Sequence, residues 1–217
     1  MADGSLEEYY RQRAPEYEQI YYRDMPQRRQ EIDGEASFLR RLAAGREVLD
    51  LACGTGYWTQ VLAGAAGSVV ASDLSEEMLR EAGRKEYDKK PLWVRADLEH
   101  LPFAAGSFEL VTLGFWFSHQ SRHSYGEFFE RIKRLVRRGG QVWMIDNNPP
   151  AEGPTLHSAG FDEHGNNLKT RYLDNGREFV ILKNYFEARE LREVFEPHFE
   201  IERLRHREYY WSVLLSC

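Results

Sequence analysis

The run Glu47-Val-Leu-Asp-Leu51 constrains this chain more than any other segment, because it is short, largely apolar and closes on a glycine turn, Ala52-Cys-Gly54-Thr-Gly56, that opens a helix. A strand with no polar face has to lie between two covering layers, as the inner strands of a parallel sheet do. Four more runs follow, Ser68 to Asp73, Leu92 to Ala96, Phe108 to Phe115 and Gln141 to Asp146, each separated by a helix-length stretch. The clearest of these helices carries Tyr125, Phe128, Phe129, Ile132, Leu135 and Val136 on one face and stops at Gly139-Gly140. Strands alternating with amphipathic helices predict right-handed βαβ units, an α/β fold and a parallel sheet with helices on both faces.

The flanks read differently. Leu6, Tyr9 and Tyr10, then Tyr17, Ile20 and Tyr21, repeat at helical spacing, and a longer helix is predicted from Pro26 to Ala43 with Ile32, Ala36, Leu39 and Ala43 inward. Asn147 to Asn167 holds a Pro/Gly/Asn cluster and predicts a long surface loop. Thr170 to Leu173 and Arg177 to Leu182 flank Asp174-Asn-Gly176, a hairpin signal. A helix over Glu187 to Phe195 and two antiparallel strands, Phe199 to Arg205 and Tyr209 to Leu215, complete the order. The expected organisation is a single domain over 1–217. Residues 1–45 would form a helical lid, 46–146 the core, 147–185 a loop and hairpin, and 186–217 a closing helix and strand pair.

Composition narrows the function. The 29 Lys and Arg against 35 Asp and Glu leave a formal charge of −6, which argues against binding driven by phosphate neutralisation, so neither nucleic acid nor a membrane surface is an expected partner. The polar start MADGSLEEYY has no signal-like apolar segment, and no run approaches the roughly 20 apolar residues of a membrane span. Cys53 and Cys217 stand far apart with no zinc-type spacing, so neither a disulfide framework nor a metal is expected. A cytoplasmic protein, monomer or homodimer, with a small-molecule partner is the expectation.

The glycine turn admits two cofactor readings. A dinucleotide loop would place glycine at position 59, where Thr59 stands. A S-adenosylmethionine loop asks for an acidic residue at the strand end and close glycines, which Asp50, Gly54 and Gly56 supply. With Val69-Val-Ala-Ser-Asp73, Arg95-Ala-Asp-Leu98 and Leu101-Pro-Phe103, this stretch resembles the class I S-adenosylmethionine-dependent methyltransferases. The resemblance implies a Rossmann-like, seven-stranded, mostly parallel sheet with an antiparallel last strand. It also implies site roles. Asp50 lies near the methionine amino group, and the backbone of Ala52 to Gly56 lies along the methionine. Asp73 takes the ribose hydroxyls, Leu74 and Met78 pack the adenine, Asp97 receives the adenine amino group, and the Leu98 amide faces the ring. Ala52 departs from the glycine that many members carry.

The acceptor side starts from the fourth strand, which runs to Phe115-Trp-Phe-Ser-His119 and places His119 beside the point of transfer as a candidate base or anion ligand. His123 is a weaker candidate. Trp58, Phe115, Trp116 and Phe117 are candidate pocket walls. The strand end lacks the Asn/Asp-Pro-Pro-Tyr pattern of enzymes that methylate nucleic-acid amino groups or protein glutamine. Tyr9-Tyr-Arg-Gln-Arg-Ala-Pro-Glu-Tyr17, Phe117-Ser-His119 and Asp174 to Lys183 resemble a bacterial small-molecule branch that includes a phosphonate O-methyltransferase. That resemblance implies a tyrosine lid, with Tyr17 toward the cofactor and Tyr10 and Tyr21 toward the acceptor, and an anionic acceptor met by Arg171, Arg177 and Lys183. O-methylation of a small molecule is the leading expectation. N- or S-methylation, a non-catalytic cofactor-binding module and a nicotinamide oxidoreductase are the alternatives.

Overall fold

A computed structural model describes residues 3–13, 25–149, 158–173 and 176–217 of the chain. The five predicted parallel strands are β1 (Glu47–Leu51), β2 (Ser68–Asp73), β3 (Leu92–Arg95), β4 (Phe108–Gly114) and β5 (Val136–Asn147). With β9 (Glu200–His206) and β10 (Tyr210–Ser216) they form one seven-stranded sheet in the order β3-β2-β1-β4-β5-β10-β9, in which β10 runs antiparallel to both neighbours. The strand order reverses between β1 and β4, and ligands of open α/β sheets bind in the crevice at such a point.

Alternation along each strand builds two cores, because successive side chains point to opposite faces. Leu49, Leu51, Val111, Leu113, Val142, Met144, Val213 and Leu215 face one cluster, which α5 (Tyr125–Leu135) and α6 (Ala188–Phe195) cover with Phe128, Phe129, Leu191 and Phe195. Val48, Leu110, Trp143, Ile145 and Leu214 face the other, which α2 (Pro26–Ala43) and α3 (Tyr57–Ala63) cover with Ile32, Ala36, Leu39, Val61 and Leu62. Helix α4 (Glu76–Gly83) follows β2 and buries Met78 and Ala82.

Two expectations are corrected. Gly139-Gly140 does not stop α5, which ends at Leu135; Val136, expected on the helix face, already opens β5. The glycines instead carry an irregularity where the β4–β5 register shifts, Gly139 at φ +75° and Gly140 where a Cβ would lie 2.8 Å from the Glu109 carbonyl oxygen. The second correction concerns the predicted loop, since Ser158–Phe161 within it forms strand β6. This strand pairs with β7 (Asn167–Tyr172), and β7 pairs with β8 (Glu178–Leu182), so the hairpin is the larger part of a three-stranded antiparallel sheet.

Helix α1 (Asp3–Arg13) lies on β8 rather than on the large sheet, with Tyr9 edge-on to Phe179 and packed with Ile181. Tyr17 and Tyr21 lie outside the described residues.

Candidate active site

A cavity opens at the carboxyl ends of β1, β2 and β4. Ala52, Gly54, Asp73, Leu74, Met78, Asp97, Leu98, Phe115 and Trp116 line it, and α1 closes one side with Leu6 and Tyr10. Most of the positions expected at a cofactor meet here, contributed by separate strand ends.

The turn after β1 is held by the end of β2. Cys53 N–H donates to the Ser72 carbonyl at 3.0 Å, and Gly54 N–H donates to Asp73 Oδ2 at 2.8 Å. The other Asp73 oxygen accepts from Ser75 N–H at 2.9 Å, so the carboxylate is fixed at the cavity wall while keeping further acceptor positions. Burial pushes the Asp73 carboxyl up, against the pull of those two amides. Asp97 is more open, and its Oδ1 accepts from Glu99 N–H at 2.9 Å. Leu74, Met78 and Leu98 line the same cavity as the two carboxylates. Carboxylates that accept from hydroxyls and an amine, together with apolar side chains that pack a flat base, fit an adenosine. Ala52 and Phe115 line the same cavity with φ of +48° and +62°, the left-handed backbone that non-glycine residues avoid. Strain of this kind persists where the surrounding structure enforces it, and it clusters at ligand sites.

Three candidates sit behind the wall rather than in it. Asp50 is 1% exposed and accepts from Thr59 Oγ1 at 2.6 Å and Thr112 Oγ1 at 2.9 Å, and burial raises its carboxyl to about 6. Thr59, which breaks the dinucleotide pattern, is thus a partner of Asp50. Gly56, at φ +82°, leaves room for helix α4, since a Cβ there would stand 2.5 Å from the Tyr87 hydroxyl oxygen and 3.1 Å from the Ala82 Cβ. Trp58 is buried edge-on to Trp143, with its indole over Gly114.

His119 ends a short 3-10 turn, Phe117–His119, beyond β4 and is buried. Its Nδ1 lies 2.6 Å from the Leu182 carbonyl oxygen and its Nε2 2.7 Å from the Tyr10 hydroxyl. A carbonyl only accepts, so Nδ1 carries the proton, Nε2 accepts, and Tyr10 donates. Burial first, then the Lys183 ammonium, hold the imidazole down to about 3 against the pull of Asp146. His119 therefore stands neutral at pH 7 and is not the protonated anion ligand the sequence allowed.

The basic residues separate. Lys183 is buried and donates to Asp146 at 3.0 Å and to Ser118 Oγ at 2.5 Å. Arg177 lies across Phe179 and donates to Glu8 of α1 at 3.3 Å. Arg171 lies half-buried on the face of β7 shared with Lys169, bonds the Tyr185 hydroxyl, and adds its charge at His119 and Lys169. Sequence reading missed Asp146 in this group, although it stands one residue from the end of β5, much as Asp73 ends β2. It also missed Leu6. His123 stacks on His164 at the surface, away from the cavity.

Residues 48–140 match a family described as a methyltransferase domain. A demethylmenaquinone methyltransferase of Lactococcus lactis is 37% identical over 112 residues, 49% of this chain and 44% of that protein. The chain thus spans less than half the length of the curated relative it matches. DhpI, solved in a complex with SAM and HEP, is 28% identical over 99% of this chain and 97% of its own, with a TM-score of 0.76. A Pyrococcus horikoshii protein at 19% identity shares the fold, covering 93% of this chain and 98% of its own at a TM-score of 0.70.

Proposed function

We propose, from the match of residues 48–140 to a methyltransferase domain family, that the whole chain transfers the methyl group of S-adenosylmethionine to an oxygen of a small, anionic acceptor. The observation that carries this reading is Asp73, its carboxylate fixed by the Gly54 and Ser75 amides at the edge of a cavity that also holds Asp97 and apolar side chains. Asp73 would take the ribose hydroxyls and Asp97 the adenine amino group. Leu74, Met78, Leu98 and Phe115 would pack the base and sulfur side, and Ala52 and Gly54 would lie along the methionine. The bound cofactor supplies a methyl carbon made electrophilic by its sulfonium sulfur. What the protein contributes to an in-line displacement is alignment and exclusion of water. Leu6 and Tyr10 provide cover. Arg171 is not among the lining residues, but its charge reaches His119, and it would offer the planar fork that suits an oxyanion.

The likeness to DhpI, a protein solved with SAM and HEP together, runs the length of the chain and so takes in the acceptor half, which supports a small acceptor over a menaquinone precursor. Isothermal calorimetry with S-adenosylhomocysteine tests the first half of the reading: micromolar binding is expected, with a loss of at least tenfold in Asp73→Ala. No binding, or an unchanged Asp73→Ala, ends it. The second half is tested by turnover on small phosphonates, carboxylates, phenols and amines, with a demethylmenaquinone analogue alongside. Methylation confined to amines or the quinol would replace the anionic acceptor, and binding without turnover on any of them would leave a cofactor-binding module.

A further inference from the structure

The imidazole of His119 joins three separately built parts of the molecule. The ring itself follows β4. Its Nδ1 reaches the carbonyl of Leu182 at the end of β8, and its Nε2 reaches Tyr10 on α1, 109 positions away in the chain. Both ring nitrogens are therefore occupied, and the side chain that reaches the cavity is the tyrosine and not the histidine. The T-shaped contact of the two rings, 5.4 Å between centroids at 87°, fixes the tyrosine further.

Helix α1 makes its other contacts on the same surface. Tyr9 packs into Phe179 and Ile181 of β8, and Glu8 meets Arg177 just before β8. The Glu8–Arg177 pair is largely in water and contributes little. The Tyr10–His119 bond is part-buried, and it joins α1 to the turn after β4.

We propose that His119 is a positioning residue that accepts the Tyr10 hydroxyl to fix helix α1 over the cavity, and that it takes no proton from the acceptor. The charged and titratable groups around it agree. Lys183, which follows β8, and Arg171 on β7 oppose a charge on the ring, Asp146 on β5 favours one, and Tyr10 on α1 presents a neutral donor. With Lys183 committed to Asp146, the sum leaves the ring neutral through the physiological range. An acceptor whose oxygen is already ionised needs no base at this point, which is the part of the inference that rests on the proposed methyl transfer.

The full-length protein tests this through two substitutions at 119 and one at 10. An asparagine keeps an amide donor near the Nδ1 position but falls short of Tyr10, whereas a glutamine extends an oxygen toward the place of Nε2 and can accept from it. Expected are amide exchange across residues 3–13 that is about tenfold faster in His119→Asn and Tyr10→Phe, an acceptor KM raised to a similar extent with kcat less affected, and rescue of both in His119→Gln. Nitrogen-15 spectra of the imidazole should show the neutral Nδ1–H tautomer from pH 8 down to 5. The proposal is overturned if His119→Gln and His119→Asn lose kcat alike while Tyr10→Phe is silent, or if the ring titrates near 6.5. Exchange and spectra require no turnover, so absence of methyl transfer in the unsubstituted protein would remove the proposed function and leave the positioning role to be decided by these two readouts.

Discussion

Lys183 donates to Asp146 at 3.0 Å with the carboxylate wholly buried and the ammonium side chain 9% exposed. Asp146 also accepts from the amides of Ser118 and Asn147 at 2.9 and 2.8 Å, and Lys183 donates to the Ser118 hydroxyl. Burial raises the Asp146 carboxyl, but the Lys183 charge and the two amides more than offset that and hold it low. The pair fastens the end of the three-stranded sheet to the carboxyl end of β5.

Breaking such a pair from one side leaves a charge buried alone, a loss of about 3–5 kcal/mol. Lys183→Met is expected to fall in that range in urea unfolding, and Lys183→Met with Asp146→Asn to recover most of it. A single substitution within 1 kcal/mol of the parent would mean that water reaches Asp146.

Asp50 and His119 should give opposite slopes of stability with pH. The Asp50 carboxyl lies near 3.8 unfolded and about 6 folded, so between those values the folded chain keeps a proton that the unfolded chain has lost. Acidification from above 6 to below 4 therefore stabilises through Asp50, by on the order of 3 kcal/mol. His119 lies near 6.5 unfolded and about 3 folded, and acidification across that window destabilises because the unfolded chain takes the proton that the folded chain refuses. Melting curves at pH 7.5 and 5 should show Asp50→Asn losing more on acidification than the parent and His119→Gln losing less. Parallel curves for all three would show that neither group is desolvated.

Gly56→Ala asks a residue with a Cβ to hold φ +82° and to stand 2.5 Å from the Tyr87 hydroxyl oxygen. The expected cost is about 2 kcal/mol in denaturant. Because the closest clash is with the Tyr87 hydroxyl, beyond the end of α4, Gly56→Ala combined with Tyr87→Phe should regain part of the loss. Equal stability with reduced cofactor affinity would instead return Gly56 to the cavity wall.

At Gly114 an added Cβ would meet the Trp58 ring at 2.2 Å, and Trp58 is itself buried and packed edge-on to Trp143. Gly114→Ala should therefore destabilise by about 1–3 kcal/mol and shift the tryptophan emission. An unchanged spectrum would refute that packing.

The central sheet was readable because doubly buried parallel strands are written as short apolar runs, and Glu47–Leu51 and Ser68–Asp73 begin and end where the sequence places them. Strand β6 was not, since Ser-Ala-Gly-Phe has no period of its own and owes its conformation to the ladder with β7. At the site, residue type and strand position singled out Asp73 and Asp97, and the resemblance to methyltransferases added Leu74 and Met78; all four line the cavity. Direction was harder. Nothing local says that the missing Cβ of Gly56 faces Tyr87, or that two threonines, at 59 and 112, would enclose Asp50. The partners of His119 and Lys183 lie 37 to 109 residues away, where no spacing rule reaches.

The position of β10 between β5 and β9 bears on how the chain assembles as it leaves the ribosome. Strand β9 is made before β10 yet pairs with the sheet only through it, so one edge of β5 stays open until Tyr210–Ser216 has emerged. An unpaired, apolar edge is a template for another chain. Until β10 docks, the nascent protein depends on that edge being shielded.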